Sequence, residues 1–85
     1  MKRRKTMADN IRFEIRNHVG VLSENPNTGW TTEVNVVSWN GKPDKYDIRP
    51  WSPDHERMAK GITLTETEAR ALARALGDHF GRQQA

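Results

Sequence analysis

The residues best suited to chemistry lie in one run, Lys45-Tyr46-Asp47-Ile48-Arg49-Pro50-Trp51. As an extended strand it sends Tyr46 and Ile48 to one side, and Lys45, Asp47, Arg49 and Trp51 to the other, because side chains alternate with period two. A guanidinium and an indole then stand together on a charged face that is expected to be wet. An indole offers a flat surface and the cations offer counter-charge, so this face suits a flat, anionic ligand, and nucleic acid is the first class to consider. Three more candidates fall close by: Trp39 at the end of the preceding apolar run, Lys42 in the turn after it, and Lys60 in the loop beyond Trp51. Unpaired bases expose the π-faces that a duplex hides, and every base has one. Stacking aromatics interleaved with cations therefore point to single strands bound with little sequence preference. Trp39 and Trp51 have an alternative role, plugging the two ends of a sheet, and Trp30 reads as core or edge packing. Asp47 and Glu33 share the face of the cations and are expected to pair with them and hold them in place.

Catalytic and metal chemistry find little support. His18, His55 and His79 lie far apart, with no short-spaced partner of the kind a metal site needs, and each reads as a surface residue. Ser23, Ser38 and Ser52 have no activating motif, and there is no phosphate-cradling glycine loop. The expectation is a protein that is not an enzyme, with no metal, no cofactor and no small-molecule substrate.

The elements that must position these residues follow from local pattern. Ile11 to Leu22 alternates through Ile11, Phe13, Ile15, Val19 and Val21, which predicts a long strand bent near Asn17 or Gly20. Asn25-Pro26-Asn27-Thr28-Gly29 is a turn by composition. Trp30 to Trp39 is a second strand, with Val34 and Val36 on one side and Glu33, Asn35, Val37 and Trp39 on the other. Asn40-Gly41 begins a hairpin turn into the Lys45 strand, which ends at Pro50 and Ser52-Pro53-Asp54. Residues 52–60 form a polar loop, and Gly61-Ile62-Thr63-Leu64 alternates as a short fourth strand. Thr65 and Glu68 make a capping box, and Ala69, Leu72, Ala73, Leu76 and Phe80 form the apolar stripe of a helix. Gly77 and Gly81 are its candidate stops.

Composition sets the outer limits. Eighty-five residues make one small domain, with 34% hydrophobic and 29% charged residues and no cysteine to supply disulfides. Oligomerisation is the common remedy for so small a core, and a homodimer using the exposed remainder of the stripe, Leu72, Leu76 and Phe80, is expected. The formal charge is +3, yet residues 2–5 supply four of the 14 Lys and Arg, which leaves 10 against 11 acids in residues 6–85. A nucleic-acid face in the body must therefore arise by segregation of charge, not from a global field. The expected organisation is a basic flexible tail at 1–9, a domain at 10–81 and a C-terminal tail at 82–85. No apolar stretch is long enough to span a membrane, and the basic start has no apolar run behind it, so a cytoplasmic protein is expected, with nucleoid association compatible.

Several ordered strings also resemble a known family. Asp47-Ile48-Arg49 with the tryptophan just beyond it, the loop, Lys60-Gly61-Ile62-Thr63-Leu64 and the capped helix are similar to the single-stranded-DNA-binding domain of the transcriptional coactivator positive cofactor four. Trp39-Asn40-Gly41, Lys45-Tyr46-Asp47-Ile48-Arg49 and Trp51-Ser52-Pro53-Asp54-His55 resemble more closely its small bacterial branch, the YdbC-like proteins. The resemblance spans about residues 11–80. It implies an α+β fold, a four-stranded antiparallel sheet followed by one C-terminal helix (ββββα), dimeric, with ribbons forming channels for unpaired DNA. It implies nucleic-acid contacts at Trp39, Lys42, Arg49, Trp51 and Lys60, to which the strand pattern adds Lys45. The chain departs from the eukaryotic coactivators in having one residue fewer between the arginine and the tryptophan and fewer cations around the ribbon. The role implied is transcription regulation, or work in replication and repair. Two rival readings stand beside it: a protein-interaction module built on Pro50, Trp51 and Pro53, and a binder of single-stranded RNA.

Overall fold

A computed structural model describes residues 12–84, so the tail expected at 1–9 lies outside the described residues. Strands β1 (Phe13–Glu24), β2 (Thr31–Trp39), β3 (Lys45–Trp51) and β4 (Ile62–Leu64) precede helix α1 (Glu66–Gln84). The strands pair antiparallel in chain order, which is the expected ββββα arrangement. Local chemistry explains the turns. Asn40 and Gly41 have φ of 52° and 76°, and Lys42 N donates to Trp39 O at 2.9 Å. Asn-Gly in this conformation twists the same way as the strands it joins. In the β1–β2 turn, the Asn25 side chain accepts from Asn27 N at 2.9 Å.

β1 departs from simple alternation. Its register with β2 shifts between Ile15 and Asn17, between His18 and Gly20, and between Val21 and Ser23. Each extra residue bends a strand and increases its twist. Val19 therefore leaves the predicted apolar face and is exposed, whereas His18 comes opposite Asn35. The sheet curls. Register places Trp39 beside Phe13 and Trp51 beside Thr31, at opposite ends of β2, yet the Phe13 ring lies 5.8 Å from one indole and 5.2 Å from the other.

The curl decides which face is covered. Glu33, Asn35, Val37, Asp47 and Trp51, all on the face expected to be wet, are buried. On the opposite face Val34, Val36, Tyr46 and Ile48 are only half-buried. Loop 52–60 closes over the concave side: Ser52 N donates to Arg57 O at 2.9 Å, Ala59 N to Pro50 O at 3.0 Å, and Trp51 forms a bridge with Met58. Gly61 brings this loop back onto β3. A Cβ there would run into the Ile48 carbonyl oxygen and the Arg49 Cβ, so only glycine fits without a shift.

The capping box forms as expected, with Thr65 N donating to Glu68 Oε1 at 2.9 Å and Glu68 N to Thr65 Oγ1 at 3.1 Å. The helix then passes through both expected stops. Neither Gly77 nor Gly81 takes the positive φ of a glycine C-cap, and Arg82, Gln83 and Gln84, expected in a tail, belong to α1. α1 touches β3 and β4, but Ala69 is half-buried and every residue from Arg70 to Arg82 is exposed. Among the described residues no helix is long and apolar enough to cross a membrane.

Candidate nucleic-acid interface

Where β2 turns into β3, the hairpin and two returning segments enclose a cleft of about 530 Å³. Trp39, Lys42, Lys45 and Arg49 line it, together with Asn40, Pro43, Met58 and Thr63. Four of the six residues expected to meet nucleic acid thus converge on one concave surface, although they come from a strand end, a turn and a neighbouring strand. Lys42 and Lys45 are exposed and have no ion-pair partner among the described residues. Lys60 is exposed on the loop between Met58 and Gly61 and does not line the cleft.

Arg49 is held in place. Its Nε donates to Asp47 Oδ1 at 2.7 Å, with the Asp47 side chain fully buried and that of Arg49 only 15% exposed. The guanidinium carbon lies 4.7 Å from the centre of the Trp39 ring, within cation–π range, and Nη1 approaches Met58 Sδ at 3.5 Å. Asp47 thus pairs with a cation, as expected. Trp39 itself is half-buried, its ring tilted 48° against Phe13.

Trp51 corrects an expectation. It lies on the predicted face, but its exposure is 0%, with Phe13 against one part of the ring and the His55 imidazole stacked at 5.6 Å and 27°. The curled sheet and the returning loop seal it, so it presents no surface to a base. The same burial counts against the rival docking spot built on Pro50, Trp51 and Pro53. Trp30, expected in packing, is half-buried with Arg57 5.7 Å from its ring.

His18 and His55, read as surface residues, keep 52% and 41% of their side chains exposed while flanking a buried carboxylate. His55 Nε2 lies 2.8 Å from Glu33 Oε2, and His18 Nδ1 lies 3.7 Å from Glu33 Oε1 and 2.7 Å from Asn35 Oδ1. Glu33 therefore pairs with histidines and not with the cleft's cations. Burial pushes its pKa up, but hydrogen bonds from Thr31, Asn35 and His55, with the nearby His55 charge, hold it below the ordinary carboxylate value. A trace of this was visible in the chain: Glu33 and Asn35 share a strand face with Val37, so a face that buries Val37 must satisfy them. The partnership with His55 was not visible, because it depends on how a loop 22 residues away folds back, with His55 in a left-handed conformation at φ 61°. Among the described residues no group of three metal-ligating side chains comes together.

The comparisons with known proteins bear on the hairpin and its surroundings. The family described as Transcriptional Coactivator p15 (PC4) matches residues 27–75, which takes in β2, β3, β4 and the first half of α1. An uncharacterized protein of Treponema pallidum (strain Nichols) is 50% identical over 64 residues, 75% of this chain and 74% of that protein. The match agrees with a bacterial branch of the family. The family is a non-enzymatic one of single-stranded-DNA-binding coactivators. On a family match over more than half the chain, this protein belongs to the Transcriptional Coactivator p15 (PC4) family.

Proposed function

We propose that this protein binds single-stranded DNA in the cleft at the β2–β3 hairpin, with little sequence preference, as a homodimer. The observation that carries the reading is the convergence of Trp39, Lys42, Lys45 and Arg49 on one concavity. Trp39 and the Arg49 guanidinium 4.7 Å from its ring together supply the flat surface for a base, and Lys42 and Lys45 receive the flanking phosphates. Lys60, exposed on the loop between the lining residues Met58 and Thr63, adds a further phosphate contact. The role is transcription regulation, or protection of unpaired DNA during replication and repair. The dimer has its own support: Leu72, Leu76 and Phe80 are 38%, 46% and 54% exposed along one helix that the sheet of its own chain leaves almost uncovered. An apolar stripe of this kind is the expected seat of a second helix.

Titration of oligo-dT against the chain, followed by fluorescence anisotropy, tests the reading. Salt-sensitive binding that prefers the single strand to a duplex supports it; equal or salt-insensitive binding removes it. Competition between matched DNA and RNA oligomers decides against the RNA alternative if DNA wins, because only RNA offers a 2′-hydroxyl to be read.

A further inference from the structure

We propose that Asp47 is a positioning residue: it neutralises Arg49 and fixes the guanidinium as a stacking plane on Trp39, so that Arg49 adds nothing to the salt dependence of binding. The inference deepens the single-strand reading and rests on it. Arg49 stands opposite Glu33 in the register, whereas Trp39 lies six residues further along β2. To reach that indole the side chain must lie back along β3, over Asp47, and the 2.7 Å bond from Nε to Oδ1 holds it there. Gly61 leaves room beside the Arg49 Cβ, and Met58 Sδ closes on Nη1 at 3.5 Å. Three neighbours hold the guanidinium: Asp47 at Nε, Met58 at Nη1 and the Trp39 ring.

Counterion release counts the phosphates that protein cations newly neutralise. A guanidinium already neutralised by a fully buried carboxylate has little charge left to offer. Turning it out to a phosphate would strand Asp47 as a buried, unpaired charge, and breaking such a pair costs more than one solvent-screened phosphate contact returns. What Arg49 can offer is its flat outer surface, on which bases stack much as they do on aromatic rings. The cleft then divides its labour, with Trp39 and Arg49 for the base and Lys42 and Lys45 for the phosphates.

The test measures oligo-dT affinity of the full chain from about 50 to about 200 mM salt, with folding checked by circular dichroism. Lys42→Ala should flatten the slope by about 0.7, so that the fourfold salt increase costs it about 2.6-fold less affinity than it costs the wild type. Arg49→Lys keeps the charge and can still meet Asp47, but loses the plane. It should bind roughly fivefold more weakly at every salt concentration, with the slope unchanged. The double change Asp47→Asn with Arg49→Gln removes both charges and should also leave the slope unchanged. Wild-type affinity for Arg49→Lys, or a slope in the double variant that falls as far as in Lys42→Ala, would overturn the proposal. A wild-type chain that fails to bind oligo-dT removes the single-strand reading and this inference together, whereas failure of the Arg49 variants alone leaves that reading standing.

Discussion

Replacing Trp39 with alanine should separate binding from folding. The indole is half-buried and lines the cleft, with Arg49 4.7 Å from its centre and Phe13 on its flank. A lost base stack is worth about 1–3 kcal/mol, so affinity for oligo-dT should fall by a factor of roughly 5 to 150. The fold loses less than a fully buried tryptophan would cost: a cation–π contact of about 0.5–1 kcal/mol and an aromatic pair of about 0.5–1.5 kcal/mol, with part of the ring's burial. Trp51 is the control. Its ring is fully buried, so Trp51→Ala should cost ~3–5 kcal/mol of stability, much of what a small domain has. Trp51→Phe, which keeps a ring between Phe13 and His55, should fold and bind as the wild type does. Anisotropy with a labelled oligomer reads affinity, and urea denaturation reads stability. A folded Trp39→Ala chain with wild-type affinity refutes the stacking role. A folded Trp51→Phe chain that has lost affinity refutes the conclusion that the sealed ring stays out of contact.

Four further outcomes are expected. Lys60→Ala should weaken binding by a similar factor for every sequence and flatten the salt slope by roughly 0.7, as one phosphate contact would. Gly61→Ala should destabilise the chain by ~1–3 kcal/mol or more, because a methyl group meets the backbone of β3; each kcal/mol lowers the melting temperature by about 4–8 °C, read by circular dichroism. Leu76→Asp should convert a dimer to a monomer or an unfolded chain in light scattering, and a folded dimer carrying it would move the interface elsewhere. For Glu33, whose folded pKa is depressed, the stabilisation is fully present above the ordinary value near 4.5 and is lost as the pH falls below it. Thermal melts from neutral to acid pH should therefore show a smaller acid loss for Glu33→Gln than for the wild type. The curve should not become flat, because hydrogen bonds from Glu56 N and Ser52 also hold Asp54 below its usual range. Equal acid sensitivity in the two proteins would show that Glu33 is not linked to folding.

Much of the fold was legible because it is written locally. Period two placed Glu33, Asn35, Val37 and Trp39 on one face of β2, and Lys45, Asp47, Arg49 and Trp51 on one face of β3, and the register keeps those faces together. Asn40-Gly41 specified its hairpin, and Thr65 with Glu68 specified the helix start, since each rests on bonds between residues four or fewer apart. Trp39, Lys42 and Lys45 were legible together because they flank one short turn, whereas Arg49, opposite Glu33 in the register, joins them only through its packing against Asp47, Met58 and Gly61.

What only the tertiary structure decided is which side of the sheet becomes the inside. Three register shifts curl β1, Phe13 bridges two distant indoles, and Gly61 lets loop 52–60 close over the concave face. These contacts join residues far apart in the chain, and no alternation pattern records them. They buried Trp51, drew His18 and His55 to Glu33, and turned a face read as wet into the core. Gly77 and Gly81 make the same point in reverse. A glycine stops a helix only where the chain turns away, and here neither Gly77 nor Gly81 takes the positive φ of such a turn. Alternation sorts side chains into two sets, but burial depends on what the rest of the chain lays over each of them.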